Sequence, residues 1–224
     1  MTGEGGAAKK RRDPVGGLVG LLAVAIAVAA LPVAPQWPAA DATTDVVRTY
    51  FVDHGRAFLL QTFVTWVGFV GFSRALIGLA KLVGDAGERE AALTTYVGTG
   101  MLVVSMVAGN LPWATLAYEP PQNPDVVRAL WDLGLLSAFN VAGVMMGISL
   151  FPLGVGLLRT KILPSAYTYL VLLSAVVGVV LATCFGRTGP MTPNGPIGLV
   201  AILSLTLVIL VGSILLLRAA PQKA

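Results

Sequence analysis

Six long apolar runs separated by short polar stretches dominate the chain, near positions 15 to 34, 57 to 80, 91 to 117, 132 to 158, 165 to 185 and 197 to 217. Hydrocarbon about 30 Å thick takes roughly 20 apolar residues per helical crossing, so each run is long enough for one. The pattern predicts an all-α polytopic membrane helix bundle with six transmembrane helices.

Ahead of the second and fourth crossings the pattern changes character. The tetrapeptide DVVR occurs at Asp45 to Arg48 and again at Asp125 to Arg128. Val46, Val47, Tyr50 and Phe51 follow in one copy, and Val126, Val127, Leu130 and Trp131 in the other. At helical spacing each set makes one apolar stripe, with Asp and Arg three apart able to pair on the opposite side. Thr43 stands where a helix cap belongs, and so does Asn123, with Pro124 at the first helical position. These segments predict two short helices lying on the outer interface. The offset of 80 also superposes the second run on the fourth and, with a shortened inner loop, the third on the fifth. Similarity fades past the tetrapeptide, so recurring interfacial chemistry is the preferred reading and a parallel duplication the alternative.

Composition agrees with the pattern: 56% of the 224 residues are hydrophobic and 12% charged, too apolar for a soluble domain. Residues 1–14 carry Gly, Ala and charge without apolar period and read as a disordered basic cytoplasmic tail. Residues 15–218 form the six-helix domain, and 219–224 a second cytoplasmic tail. That division leaves no room for a soluble catalytic or nucleic-acid-binding unit, and basic loops against anionic lipid explain the charge of +4 without nucleic acid.

Placement of charge gives the orientation. Lys9, Lys10, Arg11 and Arg12 precede the first run, and Lys81, Arg89, Arg159, Lys161, Arg218 and Lys223 fall at every second boundary after it. Both termini are therefore expected in the cytoplasm, in a plasma (inner) membrane. A cleaved secretory signal is the competing reading of the first run. The run is long for one, however, and Pro32 and Pro35 flank the best cleavage point at Ala34. Trp37, Tyr50, Trp113, Tyr118 and Trp131 lie at the opposite, outer boundaries, where aromatic rings suit the headgroup level. Pro112 removes one backbone hydrogen bond within the third run and predicts a bend there.

Polar residues inside the runs are the functional lead, because each costs free energy in lipid unless it is satisfied or faces a cavity. Gln61, Asn110 and Asn140 all fall in the outer half. Gln61 continues at helical spacing with Thr65 and Gly68, and Asn140 with Gly143, Gly147 and Gly154, so these stripes should face neighbouring helices. Two readings follow. In one, the amides hydrogen-bond between helices and the small residues allow close approach. In the other, Gln61, Asn110 and Asn140 line an outward-facing pocket rimmed by His54, Arg56, Asp132 and Arg187, which accepts a lipid headgroup or small solute. Gly16 with Gly20, and Gly143 with Gly147, have the spacing of close helix contacts, within the bundle or between copies.

Other chemistries are not suggested. A haem between helices usually needs two His ligands and this chain has one, His54. No metal-ligand spacing, phosphate-binding Gly loop or nucleophile elbow is present, so no cofactor and no catalytic residue are assigned. The lone Cys184 reads as a packing residue.

From the fourth run onward, LWDLGLLSAF and LFPLGVGLLRTKILPSAYTYLVLLSAVVGVV, preceded by DVVRTYFVDHGRAFLL, resemble a group of small bacterial, often actinobacterial, multi-span membrane proteins of unknown function. Ser165, Ala166 and Tyr167 stand where that group carries aromatic and basic residues after its Leu-Pro. The resemblance implies architecture and a bacterial setting, with no catalytic residues to transfer. The expected function is a non-catalytic accessory or scaffold subunit of a membrane complex. A small-solute or lipid carrier using the polar pocket is the alternative, and a membrane-embedded lipid-modifying enzyme the third. Expected partners are the lipid bilayer and another membrane protein or a second copy of the chain.

Overall fold

The computed structural model describes residues 13–30 and 36–218. Its helices are α1 (Pro14–Ala30), α2 (Thr44–Asp85), α3 (Arg89–Tyr118), α4 (Pro124–Leu135), α5 (Ala142–Thr160), α6 (Ser165–Ala182) and α7 (Pro196–Arg218), with a π-helical turn at Leu136–Val141 joining α4 to α5. There is no strand among the described residues. Of the tail 1–14 expected to be disordered, residues 1–12 lie outside the described residues, as do the C-terminal tail 219–224 and the stretch 31–35, while Pro14 already opens α1.

Five units are long and apolar enough to cross a membrane: α2, α3, the joined α4 and α5, α6 and α7. The sixth predicted crossing corresponds to α1, apolar over its 17 described residues. The chain is a multi-pass membrane helix bundle.

The DVVR segments enter these helices differently from the expectation of two separate interfacial helices. The first opens α2 and runs into its span without interruption, because nothing between Arg48 and Gln61 breaks a helix except the single Gly55. Thr43 holds the cap position but its side chain makes no cap bond. The second forms α4, where the Asn123 side chain accepts from the Asp125 N–H at 2.9 Å and Pro124 takes the first helical position. Both spans are consequently long. At about 1.5 Å per residue the 42 residues of α2 reach about 63 Å, and the 37 residues from Pro124 to Thr160 about 55 Å, against hydrocarbon of roughly 30 Å. Their first three or four turns form a common projection, here called the head end.

The π turn has a geometric reason. Val127, Trp131, Leu135, Ala138, Ala142, Met146, Leu150, Leu153 and Leu157 are all buried, so one stripe must face inward along the whole joined helix. Thirty residues at about 100° each overshoot eight full turns by about 120°. The additional residue that a π turn admits absorbs most of that drift, and the stripe stays on one side.

In the membrane portion each helix packs on its neighbours in the order α1, α2, α3, α5, α6, α7, and α7 packs back on α1, closing a ring. Its centre is filled by fully buried aliphatic side chains, among them Leu76, Leu79, Leu150, Leu153, Leu157, Val208 and Ile209. The hairpins α2–α3 and α5–α6, which the 80-residue offset superposes, stand side by side in this ring through the contact of α3 with α5. Val47 and Val127, and Phe51 and Trp131, are equivalent under that offset and bury themselves in the same cluster.

The small-residue spacings serve contacts inside the bundle. A Cβ on Gly143 would stand 2.6 Å from the Gly178 carbonyl oxygen, and one on Gly178 would stand 2.9 Å from that of Gly143. The backbones of α5 and α6 touch there. Gly147 and Gly154 likewise meet Val179 and Leu172 of α6, while Gly20 meets Ser213 of α7 and Ala75 of α2. Gly143→Val should therefore wedge α5 from α6 and cost about 1–3 kcal/mol, as overpacking does. Gly100, with open space where its Cβ would be, is the control. Thermal unfolding in mild detergent should separate the two variants, and equal melting would refute the close contact.

Candidate functional site

The head end is built on aromatic rings. Phe51 and Phe58 of α2, Trp113 of α3, Trp131 of α4 and Trp37 of the α1–α2 loop pack together, with centroid distances of 4.9 Å for Trp37 to Trp113, 5.1 Å for Phe51 to Phe58 and 5.6 Å for Trp113 to Trp131. The Trp113 indole N–H donates to the Trp131 carbonyl at 3.2 Å. Trp113 and Trp131 were expected to face the headgroups, yet each is fully buried. Because α2 and α4 continue past the membrane boundary, rings at that boundary meet other helices before they meet lipid. Tyr118, 83% exposed, is the one that fits an aromatic belt.

Polar side chains lock the loops over this cluster. Arg128 grips Asp132 with both ends of its fork, Nε to Oδ2 at 2.9 Å and Nη2 to Oδ1 at 2.6 Å. The same guanidinium donates to the carbonyls of Ala42 at 3.0 Å and Ala40 at 3.1 Å. Arg187, from the α6–α7 loop, adds Nη2 to Asp132 Oδ2 at 3.1 Å, and Asn194 of that loop donates to the Pro38 carbonyl at 3.1 Å. Arg48 donates to Gln122 Oε1 at 2.8 Å. The pairing expected inside each DVVR copy is thus replaced in both. Asp45 and Asp125 are exposed, whereas each arginine reaches across to another segment.

The three amides go to three places. Gln61 Nε2 donates to the Ala30 carbonyl at 3.2 Å, and its Oε1 accepts from the Trp37 indole at 3.2 Å, so it ties the end of α1 and the following loop to α2. Asn110 donates to the Met106 carbonyl of its own helix at 2.6 Å. Asn140 Nδ2 lies 2.8 Å from the Cys184 carbonyl and 3.3 Å from those of Leu181 and Ala182. It therefore caps α6, whose last carbonyls would otherwise be short of donors in an apolar layer.

The seven residues expected to share a pocket divide accordingly. Asp132 and Arg187 line one cleft of about 190 Å³ with Ala40, Leu135, Leu136 and Phe185. His54 and Arg56 line another, of about 610 Å³, with Asp53, Tyr118 and Pro120. His54 rests edge-on against Tyr50, centroids 5.3 Å apart. Gln61, Asn110 and Asn140 line neither cleft. Among the described residues no group of three His, Cys, Asp or Glu could hold a metal ion.

A further charged pair lies toward the other end. Arg74 of α2 binds Asp13 through both nitrogens, at 2.5 and 2.8 Å, and Asp13 Oδ1 also accepts the Gly16 N–H at 2.9 Å at the start of α1. Burial pushes the Asp13 carboxyl up, but the Arg74 guanidinium and the Gly16 N–H outweigh it and hold the carboxyl below its ordinary range. Arg74 is a charge within the run 57 to 80, a signal that sequence reasoning passed over, and its partner lies 61 positions away. Spacing alone does not connect them.

No protein-family model matches the chain, and neither a curated protein nor a solved structure is significantly similar to it.

Proposed function

We propose that this protein is a non-catalytic accessory or scaffold subunit of a membrane complex, seated in a plasma membrane with both termini in the cytoplasm. One observation carries the reading. The amides that would otherwise line a solute pocket are used to hold the molecule together, Gln61 joining α1 to α2 and Asn140 closing α6. With the ring's centre filled by aliphatic side chains, the molecule offers rigid surfaces rather than an interior path. The alternation of basic boundaries supports the orientation.

A carrier is the second reading, favoured by the cleft at His54 and Arg56, whose volume falls within the roughly 300–1,000 Å³ of small-molecule sites. Purification from native membranes in mild detergent, with cross-linking and gel filtration, distinguishes the two. A scaffold should emerge with one partner at fixed stoichiometry, and its melting should not respond to a panel of small solutes. Recovery of the chain alone, stabilised by a solute, would favour the carrier and overturn the scaffold.

A further inference from the structure

The cleft between α4, the π turn and the α6–α7 loop combines a surplus cation with apolar walls. We propose that it binds the phosphate-bearing headgroup of one anionic phospholipid. Asp132 at its floor is already neutralised, because Arg128 engages both carboxylate oxygens and directs its other donors to Ala40 and Ala42. Arg187 gives Asp132 a single further N–H at 3.1 Å and is 69% exposed. The triad carries a net single positive charge, and it resides on the guanidinium at the cleft mouth. Asp41 does not line the cleft.

The remaining walls are apolar: Leu135, Leu136, Phe185 and Pro193. Leu136 is 41% and Phe185 67% exposed, so hydrophobic surface begins directly beside the cation. A free phosphate would gain nothing from those side chains, whereas a lipid sets its headgroup against the guanidinium and its acyl chains against them. The volume of about 190 Å³ admits a headgroup and leaves the chains outside. Arginine suits the task because its planar fork presents parallel N–H groups to phosphate oxygens. This assignment is independent of whether the chain acts as a scaffold.

The test is native mass spectrometry of the full chain released from nanodiscs of phosphatidylglycerol or phosphatidylcholine. The wild type should retain one phosphatidylglycerol more tightly than any phosphatidylcholine. Arg187→Gln should weaken that retention about tenfold, since a charge-assisted bond is lost. Arg56→Gln, removing an exposed arginine at the other cleft, should leave it unchanged. Because Arg128 still neutralises Asp132, the Arg187→Gln protein should melt like the wild type, and Arg187→Lys provides a second variant with intermediate retention. Equal retention by Arg187→Gln and wild type, or of the two lipids by the wild type, would overturn the site. Displacement of phosphatidylglycerol by soluble glycerol phosphate at millimolar concentration would overturn the lipid as its source.

Discussion

Truncation of Trp113 to alanine should destabilise the protein by about 3–5 kcal/mol, the cost of deleting a large buried aromatic side chain. The ring is 1% exposed and touches rings from α2, the α1–α2 loop, α4 and the π turn. Relaxation cannot refill the space easily, because the nearest face of α4 at that point is Gly134. A Cβ there would collide with the Trp113 indole nitrogen, so the ring occupies the very space the glycine leaves open. The Trp131 carbonyl would also lose its indole donor. Damage should be confined to the head end, since the membrane portion has a separate cluster of its own. Limited proteolysis should then cut within 36–43 or 183–195 while the spans stay intact. Trp113→Phe, which keeps most of the volume and loses the N–H, should fall between. A Trp113→Ala protein that melts and resists protease like the wild type would show that the cluster does not hold the head end together.

The second large effect is expected at Arg74. Its replacement by leucine leaves the Asp13 carboxylate seated against Gly16 and Gly78, where an added Cβ would stand 2.8 and 2.9 Å from its Oδ2. The Gly16 N–H would be the partner remaining from those seen here. Removing one member of a buried ion pair costs about 3–5 kcal/mol, and exposed pairs are worth at most about 1 kcal/mol. Arg74 is partly exposed and Asp13 mostly buried, so a loss on the order of 2 kcal/mol is expected near neutral pH. The pH dependence has a definite sign. The Asp13 carboxyl is held below its ordinary value in the folded protein, so its contribution is fully present above the unfolded value, about 4, and is lost as pH falls through the lower folded one. The melting difference between wild type and Arg74→Leu should therefore be full at pH 7 and shrink on acidification. A gap that widens in acid would refute the pair as the cause. Arg74→Lys should recover part of the stability, because it restores the charge without the two-pronged contact.

Much of the head end was legible in part. The Asn123 and Pro124 start of α4 follows from local chemistry, and the side chain caps as expected. The stripes after DVVR were also readable, and most of each is used: Val47, Tyr50 and Phe51, and Val127 and Trp131, are buried, while Val46 and Val126 face outward. The π turn left no pattern to read, because LSAFNV is an ordinary apolar stretch and its geometry is imposed by burial on both sides of it. Of the candidate site, the closeness of Asp132 to Arg187 was anticipated. That Arg128 would join them was not, since Asp125 in its own tetrapeptide offered an equally near carboxylate. Asn140 and its glycine stripe were expected to face a neighbour and do face α6.

By itself, then, the sequence determined the class of the molecule, the order of its helices and where most of them begin and end. Apolar run length, caps and breakers act over a few residues and need no knowledge of the rest of the chain. Only the tertiary structure decided which partner each polar group takes: Asp132 for Arg128, Asp13 for Arg74, the last carbonyls of α6 for Asn140. In a low-dielectric layer an unpaired polar group is costly, so Asn140 and Arg74 take partners from the segments packed beside them, 41 to 61 positions away, while Arg128 turns to Asp132 one turn along its own helix because the same guanidinium then reaches the Ala40 and Ala42 carbonyls.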